Sequence, residues 1–210
     1  MKIVAFAGQL ASGKDVASDY LADKLNENMI CGSWKRSAFA SAVKKVYMDA
    51  FGVDKEFIEK WKRKSEIPDG MLMNVRKSLQ FIGDGFRQIK GSIWIEIALR
   101  NENQQLILSD ARYINEAKAI RAKGGINIIL YRDGYLNDDP NPSESQIKPL
   151  VQFCLSNFKD GPIKVDANSP FGLEYYDFFL RNDGSIHDMF KKIDEILIPY
   201  IKSRYSQEKL

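Results

Sequence analysis

Apolar residues recur along this chain in two rhythms. Short unbroken runs occur at Ile3 to Ala7 (IVAFA), Gln105 to Ser109 (QLILS) and Ile126 to Tyr131 (INIILY). They are too short for helices and are followed by glycine or charged residues, as expected of strands buried on both faces of a parallel sheet. Trp34 to Ala40 (WKRSAFA) and Tyr175 to Leu180 (YYDFFL) predict two further strands. Helical spacing fills the intervals. The helix after the first strand carries Val16, Tyr20 and Leu21 near one face, Ser41 to Phe51 repeats Val43, Val46, Tyr47 and Ala50 before Gly52, and Lys55 to Lys64 shows Phe57, Ile58 and Trp61. After a turn at Pro68-Asp69-Gly70, a helical pattern runs from Met71 to about Arg87 with a break at Gly83-Asp84-Gly85, and another helix covers Ser92 to Arg100. Asn115 to Lys123 is helical up to Gly124-Gly125, and Ile186 to Tyr205 is a final amphipathic helix through Met189, Phe190, Ile193, Ile196 and Leu197. Asp133 to Pro149, with three prolines and no apolar period, predicts a long surface loop, and Leu150 to Gly172 mixes strand and turn signals.

Strands alternating with helices predict an α/β protein around a parallel sheet. At 210 residues with 44% hydrophobic and 28% charged content, the chain can build one substantial core, and no shift in composition marks a second independent domain. One domain with insertions is the expectation. The net charge of +3 argues for neither a nucleic acid nor a membrane surface, while a mild positive bias suits small polyanionic substrates. Cys31 and Cys154 lack metal-ligand spacing and make no disulfide framework. Met1-Lys2 leads straight into the first strand, leaving no room for a cleavable signal, and no apolar run approaches the roughly 20 residues of a membrane span. A soluble, cytoplasmic protein is expected.

The chemistry is concentrated after the first strand. Gly8-Gln9-Leu10-Ala11-Ser12-Gly13-Lys14-Asp15 fits GxxxxGK[ST] at every fixed position except the last. A phosphate chain carries several negative charges, and a loop holds it by turning successive backbone N–H groups inward. Gly8 and Gly13 permit the required dihedrals. The following helix adds its unpaired N–H groups and the positive end of its dipole, and Lys14 adds a mobile point charge. Asp15 stands where a hydroxyl ordinarily helps to hold Mg²⁺; its carboxylate either takes the ion, directly or through water, or caps the helix. Asp110-Ala111-Arg112 closes the third predicted strand. Ligands gather at the carboxyl ends of parallel strands, so this pair should face the same crevice as the loop.

Several separated blocks together resemble the bacteriophage deoxynucleoside monophosphate kinases: SGKD at Ser12 to Asp15, AFASAVKKVYMDAFG at Ala38 to Gly52, LQFIGDGFR at Leu79 to Arg87 followed by Trp94-Ile95, SDARYINEA at Ser109 to Ala117, and LRNDGSIHDM at Leu180 to Met189. The blocks lie in order and span almost the whole chain. The resemblance implies a three-layer α/β/α P-loop kinase fold with a parallel five-stranded sheet. The core would be residues 1–36, 101–132 and 150–210, the helical acceptor-binding insertion about 37–100, and the lid about 133–149. The implied reaction transfers phosphate from ATP, with Mg²⁺, to a deoxynucleoside monophosphate; a homodimer stays open.

On this reading ATP lies against Gly8, Ala11, Ser12, Gly13, Lys14, Asp15 and Val16, with the donor adenine against the turn of Asn182 and Gly184. Lys14 bridges the transferring group, and Asp15 and Asp110 are the metal candidates; Asp110 alternatively caps the next helix. Arg87 is the candidate for the acceptor phosphate, since a guanidinium fork binds it bidentately. The glycines before it would bend the chain around the acceptor, and Gln80 would hydrogen-bond a base edge. Arg76 and Lys44 belong to the same acceptor region, Lys44 otherwise being a solvated charge. Phe39 and Trp94 either stack on the acceptor base or are core. Arg112 contacts the acceptor phosphate or pairs with Asp110, and Arg132, at the entrance to the lid, meets the transferring phosphate or lies on the surface. The lid departs from the family pattern: Asp133, Asp138, Asp139 and Glu144 make it acidic, and Pro142 precedes Ser143-Glu144 where the family favours histidine. Phosphomevalonate kinase shares the SGKD block, and a P-loop module that binds nucleotide without transfer is the alternative from another class.

Overall fold

The computed structural model describes residues 1–30, 32–100, 104–134 and 145–206. Its elements follow in the order β1 (Ile3–Ala7), α1 (Lys14–Glu27), β2 (Trp34–Ser37), α2 (Ala40–Phe51), α3 (Lys55–Trp61), α4 (Val75–Ile89), α5 (Ile93–Ala98), β3 (Gln105–Ala111), α6 (Ile114–Ala122) and β4 (Ile126–Arg132). After these come α7 (Lys148–Asn157), β5 (Gly161–Pro162), a 3₁₀ turn at Leu173–Tyr175, β6 (Phe178–Asn182) and α8 (Ile186–Lys192), and then a π-helical turn at Ile193–Leu197 leads into α9 (Ile198–Ser206). The chain divides into two compact units, one formed by Met1–Ser37 with the chain after Arg100, the other by Ala38–Arg100.

In the first unit the strands lie in the order β2-β3-β1-β4-β6-β5. The five long strands pair in parallel, as their unbroken apolar runs require. The sheet has a sixth strand, β5, which adds an antiparallel edge through Gly161 and Pro162. Two residues carry no period that a sequence could show, and proline is tolerated there because the strand is an edge. Alternate residues of the sheet serve two layers. Val4, Phe6, Ile128 and Leu130 pack with Ala17, Leu21 and Leu25 of α1 and with Met189, Ile193, Leu197 and Ile201 of the C-terminal helical run. On the other face Asn127 donates to the carbonyl of Ala117 in α6 at 2.9 Å, and a Cβ on Gly125 would lie 3.0 Å from that of Ile3. The architecture is therefore the expected three-layer α/β/α arrangement.

Several boundaries differ from the sequence expectation. β2 ends at Ser37, and β6 begins at Phe178 and runs on through Arg181 and Asn182 because Leu173–Tyr175 is taken by the 3₁₀ turn. Val16 is 40% exposed; α1 instead buries Ala17, Ser18, Leu21, Ala22 and Leu25. Pro149 belongs to the first turn of α7, a position that needs no N–H, rather than to a surface loop. The C-terminal helix is not uniform: its π turn precedes Pro199, whose ring and missing N–H disturb a regular ladder. Asp138, Asp139, Pro142, Ser143 and Glu144 of the expected lid lie outside the described residues. No described helix is long and apolar enough to cross a membrane.

The second unit consists of α2 to α5. Its core is Tyr47, Ile58 and Val75, joined by Met48, Phe57, Trp61, Leu79 and Ile82. Asp54 and Asn74 cap α3 and α4, each accepting from the backbone N–H three residues on, and Gly52 ends α2 at φ 63°. The expected break at Gly83-Asp84-Gly85 does not occur, since α4 runs unbroken to Ile89. Interior glycines cost a helix only about 1 kcal/mol each. Gly83 is buried, its carbonyl accepts from Trp94 Nε1 at 2.9 Å, and a Cβ there would come 3.3 Å from Arg87 Nη1.

Candidate functional site

The glycine loop emerges from β1, the strand whose neighbours β3 and β4 lie on opposite sides, so it stands at the switch point of the sheet where ligands of such folds collect. Gly8 has φ 151°, and a Cβ on it would collide with the carbonyl oxygen of Leu130 in β4. Gly13 has φ 97°, and its Cβ would come 2.6 Å from Asn182 Nδ2. Only glycine meets both demands. Ala11 is also left-handed, at φ 63°, so the loop turns sharply between the two glycines.

Lys14 opens α1 and is 6% exposed. Its ammonium donates to the carbonyls of Gly8 and Gln9 at 2.7 and 2.6 Å and to Ser12 Oγ at 3.1 Å. These acceptors make the burial of a cation affordable and fix it inside the loop. Asn182, the last residue of β6, braces the same loop by donating from Nδ2 to the Ser12 carbonyl at 3.1 Å. The sequence placed Asn182 in a backbone turn only; its side chain belongs to the phosphate loop. Gly184 leads into the cap of α8, where Ser185 accepts from the N–H of Asp188 and the Asp188 carboxylate accepts from that of Ser185. A Cβ on Gly184 would press on that carboxylate, 2.6 Å from Oδ2. Lys192 donates to Asp183 at 2.6 Å and to the Arg181 carbonyl at 2.8 Å, which locks the turn and holds the Asp183 carboxyl below its ordinary value.

Asp110 ends β3 beside the loop, and Arg132 ends β4 opposite Asn182 in the β4–β6 ladder. Glu116, 2% exposed, accepts the N–H groups of Arg112 and Tyr113 at 2.8 and 3.1 Å and so closes the start of α6. Asp15 does not cap α1; its carboxylate pairs with Arg36 of β2. Arg36 also forks onto both carboxylate oxygens of Asp19, at 2.6 and 2.7 Å, and reaches Ser109 Oγ at 3.4 Å. Sequence reading missed Arg36, Asp19 and Ser109. Nothing in WKRS marks the arginine, because the contact exists only once β2 lies beside β3 and α1. Among the described residues no group of three or more His, Cys, Asp or Glu side chains could hold a metal. Asp15 and Asp110 nevertheless suit Mg²⁺, which is commonly held by one or two carboxylates with the remaining positions filled by phosphate and water.

The other candidates lie in the second unit. The unbroken α4 sets Arg76, Gln80, Gly83 and Arg87 at helical spacings of four, three and four residues, on one stripe. Continuity of the helix, rather than a bend, aligns Gln80 with Arg87. Arg87 is bonded to Asp84 at 3.2 Å, and Arg76 donates to the Lys62 carbonyl at 3.3 Å. Lys44 is paired with Glu59 at 2.9 Å, and Lys62 pairs with the same carboxylate, whose pKa falls to about 2 through these lysine bonds, that of Lys62 foremost. Phe39 and Trp94 are each 2% exposed, and Trp94 packs near Phe86 at 5.4 Å between centroids. Both are core rings, so the stacking alternative gives way to the packing one. Burial pushes the Cys154 thiol up to about 12, which removes it as a nucleophile.

The fold and this loop define a class, an α/β protein of the P-loop kinase type. No protein-family model matches the chain. It is similar to a protein of Acanthamoeba polyphaga mimivirus described as "Putative deoxynucleotide monophosphate kinase", with 27% identity over 174 residues, covering 74% of this chain and 86% of the relative. Among solved structures it is similar to shikimate kinase from Acinetobacter baumannii in complex with shikimate, at 13% identity and a TM-score of 0.47, over 94% of this chain and 93% of the other.

Proposed function

We propose that this protein is a deoxynucleoside monophosphate kinase that transfers the γ-phosphate of ATP to a deoxynucleoside monophosphate, giving the diphosphate and ADP. The observation that carries the reading is the buried Lys14 ammonium held inside a loop whose two glycines leave no room for a Cβ. Such a loop supplies backbone N–H groups, a helix N-terminus and one fixed cation to a polyphosphate. The printed description of the mimivirus relative supports the acceptor class.

In the proposed reaction an oxygen of the acceptor phosphate attacks the γ-phosphorus while the bond to the β–γ bridging oxygen breaks, and the leaving ADP takes the electron pair. Little covalent chemistry is asked of the protein; positioning and charge neutralisation do most of it. Lys14 steadies the charge on the transferring group, and Arg132, at the end of β4, is the second cation proposed for it. Asn182 keeps the loop in register with the turn proposed to take the donor adenine. Arg87, with Arg76 and Gln80 on the same stripe of α4, takes the acceptor. Mg²⁺, held by Asp15 and Asp110, would add charge neutralisation to the phosphates.

The test is ADP formation from ATP and Mg²⁺ with each common deoxynucleoside monophosphate, then with ribonucleotides, shikimate and phosphomevalonate. Turnover with at least one deoxynucleotide is expected. Lys14→Ala should lower it on the order of a hundredfold or more, and Arg87→Ala should raise the acceptor KM. Near-native turnover by Lys14→Ala, or silence with every deoxynucleotide, would sink the proposal.

A further inference from the structure

We infer that Arg36 is a positioning residue that neutralises and draws aside the carboxylate of Asp15, so that a phosphate loop with Asp in place of the usual hydroxyl can still hold a polyanion. The inference rests on reading the loop as a phosphate site, and it assigns no role in transfer to Arg36. Asp15 is the second residue of α1, at the helix end whose free N–H groups and dipole attract anions. A carboxylate there competes with phosphate for the same positive end and repels it. A Ser or Thr hydroxyl at this position raises no such conflict.

The structure supplies a counter-charge aimed at this point. Asp15 and Asp19 lie one turn apart on the same side of α1, and Arg36 of β2 reaches both. One nitrogen of its guanidinium bonds both oxygens of Asp19, at 2.6 and 2.7 Å, while the other bonds Asp15 and lies 3.4 Å from Ser109 Oγ on β3. The fork is thus fixed from three directions, and its plane is set by Asp19 and Ser109 independently of Asp15. An isolated exposed pair does little, but a shared guanidinium anchored by a second carboxylate forms a network with defined geometry. Asp15 is tied to the strand edge instead of folding back over the N–H groups of its own helix, and its side chain makes no cap bond. Asp19 and Ser109 therefore orient Arg36, and Arg36 orients Asp15.

The test is a double-mutant cycle read by binding, without added divalent ion so that metal ligation does not enter. Inorganic pyrophosphate and ATP are titrated by calorimetry into the full chain, into Arg36→Gln, into Asp15→Ser and into the double variant. Arg36→Gln is expected to weaken both ligands on the order of tenfold, the size of effect that one uncompensated charge produces in a partly screened site, and more at low salt than at high. Asp15→Ser alone should bind at least as tightly as the natural chain, and in that background Arg36→Gln should cost nothing. Equal losses in both backgrounds, or no loss in either, would overturn the inference, because the arginine would then act independently of Asp15. If Arg36→Gln folds poorly by circular dichroism, Arg36→Lys keeps the charge but not the fork and should give an intermediate loss that Asp15→Ser also abolishes. A protein that binds ATP and pyrophosphate but phosphorylates no deoxynucleotide would defeat the proposed reaction and leave the cycle readable. A natural chain that binds neither ligand overturns both.

Discussion

Lys14 keeps its charge at 6% exposure because two carbonyls and a hydroxyl of its own loop surround the ammonium. That arrangement depends on the loop's shape, and the shape depends on Asn182. The amide of Asn182 occupies the space where a side chain on Gly13 would stand and donates to the carbonyl of Ser12. Asn182→Ala removes a buried hydrogen bond of about 1 kcal/mol and leaves the Ser12 carbonyl without this partner. We expect a modest fall in thermal stability together with a several-fold weaker affinity for ATP, measured by calorimetry, because the loop loses its register. Unchanged ATP affinity with lowered stability would mean that Asn182 serves the core alone. Asp15 makes the same point in another way: a residue that looks like a metal ligand or a cap is found tied to an arginine on a neighbouring strand.

At the scale of elements, the first strand and the last helix are fastened to each other. Tyr205 in α9 is 1% exposed; its hydroxyl donates to the carbonyl of Ile3 at 2.6 Å and accepts from the N–H of Ile3 at 3.1 Å. β1 carries the phosphate loop at its other end, so the C-terminal helix steadies the strand that presents Lys14. Tyr205→Phe strips both partners from a buried peptide unit while conserving ring packing, and should cost about 1–3 kcal/mol in urea unfolding. A cost below a few tenths of a kcal/mol would show that Ile3 finds other partners. α4 shows how an element can override its local signals. Gly83 and Gly85 read as a break, yet the helix continues because Asn74 caps it, and the buried Gly83 leaves room for the Arg87 guanidinium. A stripe of Arg76, Gln80 and Arg87 replaces the expected bend.

At the scale of the whole molecule, acid should weaken the fold, and the sign follows from the carboxylates. Glu59 is lowered from 4.5 to about 2, first by its bond to Lys62; Glu96, Asp183 and Asp188 are lowered chiefly by bonds to Lys90, Lys192 and Ser185 respectively. A depressed carboxyl contributes stability above its unfolded pKa and loses it as pH falls through its folded pKa, because the unfolded chain takes up the proton first. Asp177 opposes them: burial raises its carboxyl, so protonation in the same region relieves a cost. Four lowered groups against one raised give a net loss below the ordinary carboxylate range, continuing toward pH 2 for Glu59. The pairs are partly exposed and screened, so each contribution is small, about 0–1 kcal/mol for Glu59. Urea midpoints taken at intervals from pH 6 to pH 2 should decline, and Glu59→Gln should flatten part of that decline for the second unit. A midpoint that rises as pH falls from 5 to 3 would contradict the assignment.

Local order was legible in the sequence wherever one short segment contained its own reason. The apolar runs of β1, β3 and β4, the glycine at each end of the phosphate loop, Lys14 between loop and helix, and Gly52 closing α2 all act within a few residues. β5 and α7 were not legible, since Gly161-Pro162 has no pattern of its own and the proline at the start of α7 looks like a loop residue until a helix forms around it. Only the tertiary structure decided that Asn182 braces Ser12, that Arg36 draws Asp15 to the edge of β2, that Tyr205 holds Ile3, and that Phe39 and Trp94 are core. The partners of Asn182, Arg36 and Tyr205 lie many residues away, and a periodicity records which side of an element is apolar but not which distant atom it meets. Charge pairing and close approach are set by strand order and packing, and these exist only after the chain has folded.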